Sequence, residues 1–373
     1  VRVLHVHSGN LFGGIETFLL TLARHQELCP AMEQNYALCF EGRLSRELES
    51  LNAPVSKLGS VRISRPQTVW RGRRALRELL KLERFDIAVC HSAWTQAIFA
   101  PVIRKAGIPL VFWLHGAANG RHWLERYARR TPPDFALCNS LFTSGTLRNL
   151  YPKVSSEVIY YPIAPPEILD SEIDREETRN KLNTPKDATV VIQVSRMEQW
   201  KGHELHLKAL SLIKDVPNWV CWQVGGEQRP EERRYFNGLK KSAAELGIAD
   251  RVRFLGQRTN VTELLAASDI HCQPNAGPEP FGITFIEALY AQLPVVTTAI
   301  GGGLEIVDDS CGVLVQPEPY DLAAALRKLI EDKTLRRTLG TTGPHRARTL
   351  CDVKTQLERI NRILTRVLYP NAE

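Results

Sequence analysis

The chain of 373 residues is long for one hydrophobic core and suits two domains of ordinary size. Its 43% hydrophobic and 24% charged content is that of a globular protein and excludes a disordered one, and no apolar run approaches the roughly 18 residues of a membrane span. The formal charge of +7 is one-sided: residues 1–165 hold 21 Lys and Arg against 12 Asp and Glu, so the basic excess belongs to the first half.

From Val1 onward, short apolar runs alternate with helix-length segments. Strands are expected at residues 1–7, 35–40, 54–58, 86–90, 109–114, 134–138 and 156–160. Helical patterns run between them, as in Glu16–Arg24 and Thr68–Leu82. We expect no signal peptide ahead of the strand-like Val1–Val6. The eight cysteines are scattered without a C-x-x-C pair, which suits buried free thiols in a reducing cytoplasm. Continuous apolar strands alternating with helices predict a parallel sheet covered on both faces. Ligands of such sheets bind beyond the C-terminal ends of the strands, so the residues just after each strand carry the functional reading.

After the first strand, Gly13-Gly14 precede a helix, and such a loop can approach phosphate or sugar closely. It is not a G-x-G-x-x-G fingerprint, which disfavours a dinucleotide site. His115-Gly116 follow Val111–Leu114, putting a histidine at a strand tip, where we expect it to face a crevice. His91 sits at the analogous tip of the preceding strand, beside Ser92 and Trp94, as a candidate for an acceptor pocket. Ser140 reads as a helix N-cap. The arginines at 62, 65, 71, 73, 74 and 77, and those at 121, 126, 129 and 130 beside Trp123 and Tyr127, are the densest basic stretches.

Tyr160–Pro166 carries three prolines and reads as the domain boundary. A polar segment, Asp170–Lys181, follows, and then a second alternating series with strands near 188–194, 218–224, 252–255, 269–273, 294–297 and 312–315. Arg196 and Lys201 bracket the loop after the first of these. A planar fork and a point charge at a strand tip suit a diphosphate and would offset the charge on a leaving nucleoside diphosphate. Later, Pro278 and Pro280 hold Glu279 out of a helix, Gly282 admits a ligand to the backbone, and Ile283 opens a helix with unpaired amides. Glu287 lies one turn on, about 6 Å along the axis. The stretch can hold phosphate on amides, ribose on Glu287 and a hydroxylated group on Glu279.

Glu279-x7-Glu287 with Phe281-Gly282 between them, Arg196-x4-Lys201-Gly202, Val224–Glu227, Gly301–Val307 and the Gly13–Glu16 string together resemble the retaining GT-B glycosyltransferases of family four, the glycosyl transferases group 1. The resemblance covers most of the second half and only short strings of the first. It implies an α/β GT-B fold, two doubly wound Rossmann-like domains facing a central cleft. Residues 1–163 would form the acceptor domain, 167–350 the nucleotide-sugar domain, and 351–373 a helix crossing back onto the first. It implies catalytic roles for His115 and Glu279 beside the transferred sugar. Donor binding would fall to Gly14, Arg196, Lys201, Arg258, Phe281, Gly282, Ile283, Thr284 and Glu287. Gln292 stands where the family usually has glycine, and a backbone adjustment is expected at that helix end.

The expected function is retaining transfer of a hexose-type sugar from a nucleoside-diphosphate sugar, UDP ahead of GDP, to a hydroxyl acceptor in glycan, glycolipid or cell-surface polysaccharide synthesis. Glu279 would meet the sugar only when the two domains close. The donor is a substrate, and neither cofactor nor metal is expected, since no Asp/His cluster has metal-ligand spacing. The basic first half suggests a lipid-linked or otherwise anionic acceptor, or an anionic membrane surface, with the protein cytoplasmic and peripheral on the inner face; nucleic acid is not expected. The alternatives are a sugar-nucleotide epimerase or phosphorylase on the same fold, or a non-catalytic sugar-nucleotide-binding protein.

Overall fold

The structure is a computed structural model describing residues 1–166, 172–227 and 229–370. The beginning of the polar segment, at Asp170, lies outside the described residues; from Glu172 to Lys181 it is helical. The chain forms two compact units, Val1–Ala164 with Cys351–Glu373, and Pro165–Leu350.

In the first unit, β1 (Arg2–His7), β2 (Glu33–Leu38), β3 (Val55–Lys57), β4 (Ile87–Cys90), β5 (Leu110–Leu114), β6 (Phe135–Cys138) and β7 (Ser156–Val158) form one parallel sheet in the order β3-β2-β1-β4-β5-β6-β7. In the second, β8 (Thr189–Val194), β9 (Trp219–Val224), β10 (Val252–Gly256), β11 (Ile270–Gln273), β12 (Val295–Thr298) and β13 (Gly312–Val315) follow the order β10-β9-β8-β11-β12-β13. Both are α/β doubly wound sheets. Most inner strands are buried on both faces because helices cover both, so they read as continuous apolar runs, whereas the edge strands β3 and β7 are only partly buried. β2 begins and ends two residues earlier than the apolar run suggests. Past Leu38 the amides of Cys39 and Phe40 turn to the Ser8 carbonyl, which takes them out of the β1 ladder.

Each sheet has one point where strand order reverses, between β1 and β4 in the first unit and between β8 and β11 in the second. Loops leaving the two strands on either side of it diverge and open a crevice. The helix Val353–Leu368 completes the first unit, burying Val353, Leu357, Ile360 and Leu364 at helical spacing. All eight cysteines are buried and free. Among the described residues no helix is long and apolar enough to cross a membrane.

Gln292 ends the helix Ile283–Tyr290 without the backbone adjustment expected for it. It takes the left-handed conformation itself, at φ +57°. Its amide donates to Leu289, and its carbonyl lies against Gly340, which holds the turn in place. A side chain in that region costs roughly 1 kcal/mol, which glycine would not incur. Gln292→Gly should therefore raise stability by up to about 1 kcal/mol, read as a higher urea midpoint at unchanged slope.

Candidate functional site

The second unit gathers its polar side chains on the loops after β8 and β11, the strands flanking the reversal. The β8 loop passes through Arg196 and Lys201 to Gly202, whose φ of +75° and packing against the Pro274 carbonyl leave no room for a Cβ. That contact seats the β8 loop on the β11 loop. The amides of Ala276 and Gly277 then donate to the Trp200 carbonyl at 2.8 and 3.1 Å. Gln193 Nε2, near the end of β8, donates to the Lys201 carbonyl at 2.9 Å.

Across this junction Lys201 Nζ donates to Glu279 Oε2 at 2.6 Å, both side chains largely buried. Gln273 Nε2, the tip of β11, donates to the same oxygen at 3.1 Å, and Gln273 Oε1 accepts from Thr284 Oγ1 at 3.3 Å. Glu279 is also clamped through its backbone, its carbonyl accepting from the Gly302 amide at 2.6 Å. Arg196 Nη2 meets Glu232 Oε1 at 2.6 Å and Glu198 Oε1 at 3.3 Å, while its buried Nε lacks an acceptor among the described residues. Both cations thus face carboxylates.

Gly282, at φ +104°, turns the chain into the helix Ile283–Tyr290, and a Cβ there would strike the Phe285 ring. No acceptor meets the amides of Gly282, Ile283 or Thr284 among the described residues, so the positive end of this helix is open. One turn on, the half-buried Glu287 carboxyl has no hydrogen bond or ion pair among the described residues, and burial pushes its pKa up to about 7. An open amide cluster and an unpaired carboxylate on one helix suit a phosphate and a hydroxyl donor.

Two further residues of this unit were expected at the donor site. Phe281 is buried, so only its backbone can line a site. Arg258 is exposed, and among the described residues its side chain bonds Asn260 in its own loop.

In the first unit Gly14 is the exposed first residue of the helix Gly14–Arg24, and Glu16, two residues on, is buried against His7 Nε2 at 2.7 Å. Phe18, one turn from Gly14, packs on His115 and Tyr161. His115 does not stand free at its strand tip. It is half-buried, with Nε2 bonded to His91 Nδ1 at 2.9 Å and Nδ1 to the Tyr161 hydroxyl at 2.5 Å. His91 is fully buried and cannot line an acceptor pocket; His5 Nδ1 lies 2.8 Å from its other nitrogen. Burial first, then the neighbouring histidines, hold His91 and His115 far below the ordinary imidazole pKa, so both are neutral. Ser140 caps its helix as expected, accepting from the Thr143 amide.

Gln193, Gln273 and Glu232 escaped sequence reading. The signal for the two glutamines was present: each is a polar residue at or near the end of an otherwise apolar strand, and β8 and β11 are neighbours. Glu232 carries no such mark, since it lies 36 residues from Arg196 in the first turn of a surface helix.

Comparison with known proteins agrees with this geometry. The family model for glycosyl transferases group 1 matches residues 174–346, and that for glycosyltransferase family 4 matches residues 12–165. The chain is 29% identical over 361 residues to the lipopolysaccharide core biosynthesis glycosyltransferase LpsD of Rhizobium meliloti, covering 94% of each. It is 26% identical over 260 residues to human alpha-1,3/1,6-mannosyltransferase ALG2, covering 66% of this chain but only 61% of that one. Among solved structures, Anabaena HepE in complex with UDP and glucose superposes at a TM-score of 0.84 with 25% identity, covering 98% of this chain and 99% of that one. The two parallel sheets, their order and these matches agree: the chain belongs to the group 1 glycosyltransferases of the GT-B fold.

Proposed function

We propose that the protein is a retaining glycosyltransferase that moves a hexose-type sugar from a UDP-sugar to a hydroxyl acceptor. The observation that carries this reading is the helix Ile283–Tyr290, with open amides at its start and the unpaired Glu287 one turn later, set beside the Lys201–Glu279 pair. Support also comes from HepE, whose complex holds UDP and glucose. UDP is preferred to GDP on that likeness.

The diphosphate would lie on the amides of Gly282 and Ile283, with Thr284 beside them and Arg196 and Lys201 as its cations. These cations face Glu232 and Glu279, so a diphosphate competes with both carboxylates for them. Lys201 can serve both, since an ammonium has three donors and only one is spent on Glu279. As the glycosidic bond to phosphate breaks, charge grows on the leaving diphosphate, where the helix amides and both cations stabilise it without rearranging. Glu287 would accept from the ribose hydroxyls, and Glu279 from a sugar hydroxyl. On the first unit, the Gly14 loop and His115 would meet the sugar, His115 by exchanging the Tyr161 hydroxyl at its Nδ1 for a ligand hydroxyl. Arg258 and the Phe281 backbone are subsidiary candidates. The reaction as proposed needs neither metal nor other cofactor.

The acceptor is proposed to be anionic or lipid-linked, because the first unit carries the basic excess on exposed positions. Arg62, Arg65, Arg71, Arg74 and Arg77 are exposed on and before the helix Pro66–Leu82, beside Trp70 at 60% and Leu82 at 84% exposure. Exposed arginines interleaved with a tryptophan and a leucine suit the headgroup region of an anionic membrane. A peripheral position on the cytoplasmic face follows from that reading.

Lys201→Ala and Glu287→Ala should each lower release of UDP from a UDP-sugar panel by about a hundred- to a thousand-fold, with or without EDTA. Near-normal turnover in either variant would end these assignments, and turnover lost in EDTA would end the metal-independent reading. Glu287→Gln should separate function from stability. Because the folded carboxyl titrates near 7 instead of 4.5, its contribution is fully present below pH 4.5 and is lost as pH rises through about 7. The glutamine variant should thus be more stable than the parent by about 2 kcal/mol at about pH 8 and lose that advantage towards about pH 5, while failing to turn over donor. Anionic liposomes should bind the protein at low salt and release it at high salt, and Arg74→Glu with Arg77→Glu should weaken the binding. No binding at low salt would remove the membrane from the proposal.

A further inference from the structure

One row of side chains crosses the first unit's sheet at right angles to its strands, one residue per strand. Gln34 stands on β2, His5 on β1, His91 just past β4, His115 just past β5, Asn139 just past β6 and Tyr161 beyond β7, which is the spatial order of the sheet. His5 Nε2 meets Gln34 Oε1, His5 Nδ1 meets His91 Nε2 at 2.8 Å, His91 Nδ1 meets His115 Nε2 at 2.9 Å, and His115 Nδ1 meets the Tyr161 hydroxyl at 2.5 Å. Asn139 Nδ2 closes the row on Tyr161 Oη at 3.1 Å.

The direction of the protons in this row follows from its two ends, Asn139 and Gln34. Asn139 Nδ2 also lies 3.2 Å from the His115 carbonyl oxygen, which can only accept, so the amide must present its NH2 there. Its Oδ1 then accepts from Thr143 Oγ1 at 2.9 Å. With one Asn139 N–H on the carbonyl, the other donates to Tyr161 Oη. At the far end Gln34 Oε1 can only accept, so His5 carries its proton on Nε2; passing that polarity back through His91 leaves His115 Nδ1 to accept the tyrosine proton. A neutral ring accepting at Nδ1 carries its proton on Nε2, so His115 donates to His91 Nδ1. The same step repeats from His91 to His5, and His5 Nε2–H ends on the Gln34 carbonyl. The chain closes with no clash of donors or acceptors.

We propose that His5 and His91 are positioning residues that, with Tyr161 and Asn139, hold His115 as a single neutral tautomer, protonated on Nε2 and offering an Nδ1 lone pair. Moving the His115 proton to Nδ1 would set two acceptors face to face at His91, and moving all three ring protons would set His5 Nε2 against the Gln34 carbonyl oxygen. The ring therefore acts as an acceptor. A ligand hydroxyl that takes the place of Tyr161 Oη would meet a lone pair, and His115 would orient that hydroxyl as a donor without giving up a proton. Only this last step, the identity of the incoming hydroxyl as a sugar's, rests on the proposed transferase reading.

The test is long-range 1H–15N correlation of the whole protein, labelled at histidine, at neutral pH, with ring assignments from the single variants His5→Gln, His91→Asn and His115→Asn. The expected spectrum shows an unprotonated Nδ1 and a protonated Nε2 for each of the three rings. A protonated Nδ1 on His115 or His91, or a fast average of both tautomers, would overturn the proposal. Tyr161→Phe removes the hydroxyl that donates to His115 Nδ1, and the His115 signals should then move towards the tautomer average while circular dichroism stays that of the parent. His115 signals unchanged in that variant would show that the tyrosine does not set the tautomer. If Tyr161→Phe does not fold, the parent spectrum still decides between one tautomer and a mixture. Because these measurements need no substrate, a failed donor assay would count against the transferase and leave the chain standing.

Discussion

The ion pair between Lys201 and Glu279 is the contact on which the second unit's site depends. It joins the loops leaving β8 and β11, at the place where the sheet's strand order reverses and the crevice opens. Two largely buried charges are costly to desolvate, and removing one would leave the other uncompensated. The surrounding bonds make that arrangement tenable. Gln273 supplies Glu279 with a second donor, Gln193 holds the Lys201 backbone, and the Trp200 carbonyl ties down Ala276 and Gly277. The site is thus held in shape by its own charges. Glu287, without such a partner, bears the cost of burial as a raised pKa.

The first unit meets the same architectural problem with different chemistry. Its strands beside the reversal carry His5 within β1, His91 just past β4 and His115 just past β5 instead of a lysine and a carboxylate, and burial keeps them neutral. Neutral rings avoid the desolvation cost of ions but must satisfy each nitrogen, which a row of imidazoles does by passing one polarity from strand to strand. The His7–Glu16 contact beside them is the acidic element facing this row from the helix Gly14–Arg24.

Much of the architecture was legible in the sequence, because parallel strands buried on both faces read as uninterrupted apolar runs and all thirteen appear near their expected places. Part of the donor-side chemistry was legible too, since prolines, glycines and charges at strand tips mark loops. What was hidden is long-range pairing. Spacing alone gave no hint that Lys201 would sit on Glu279, 78 residues on, or Arg196 on Glu232. Nor did it tell a strand-tip histidine that faces solvent from one bonded at both nitrogens, as His115 is. Gln292 shows the same gap in backbone terms: the departure from glycine was visible, but that the left-handed turn would survive it depended on the packing of Gly340.

The return of the chain to the first unit has a consequence for its synthesis. Ile163 donates its amide to Cys351, Arg359 reaches the Val158 carbonyl, and Cys29 meets the Leu357 carbonyl, so β7 and the ground beside β2 are finished only by the final helix. Pro165–Leu350, by contrast, is continuous in sequence. During translation the first unit must wait, its flank uncovered, until residues 351–368 leave the ribosome, while the second unit, encoded between its two parts, can close before it.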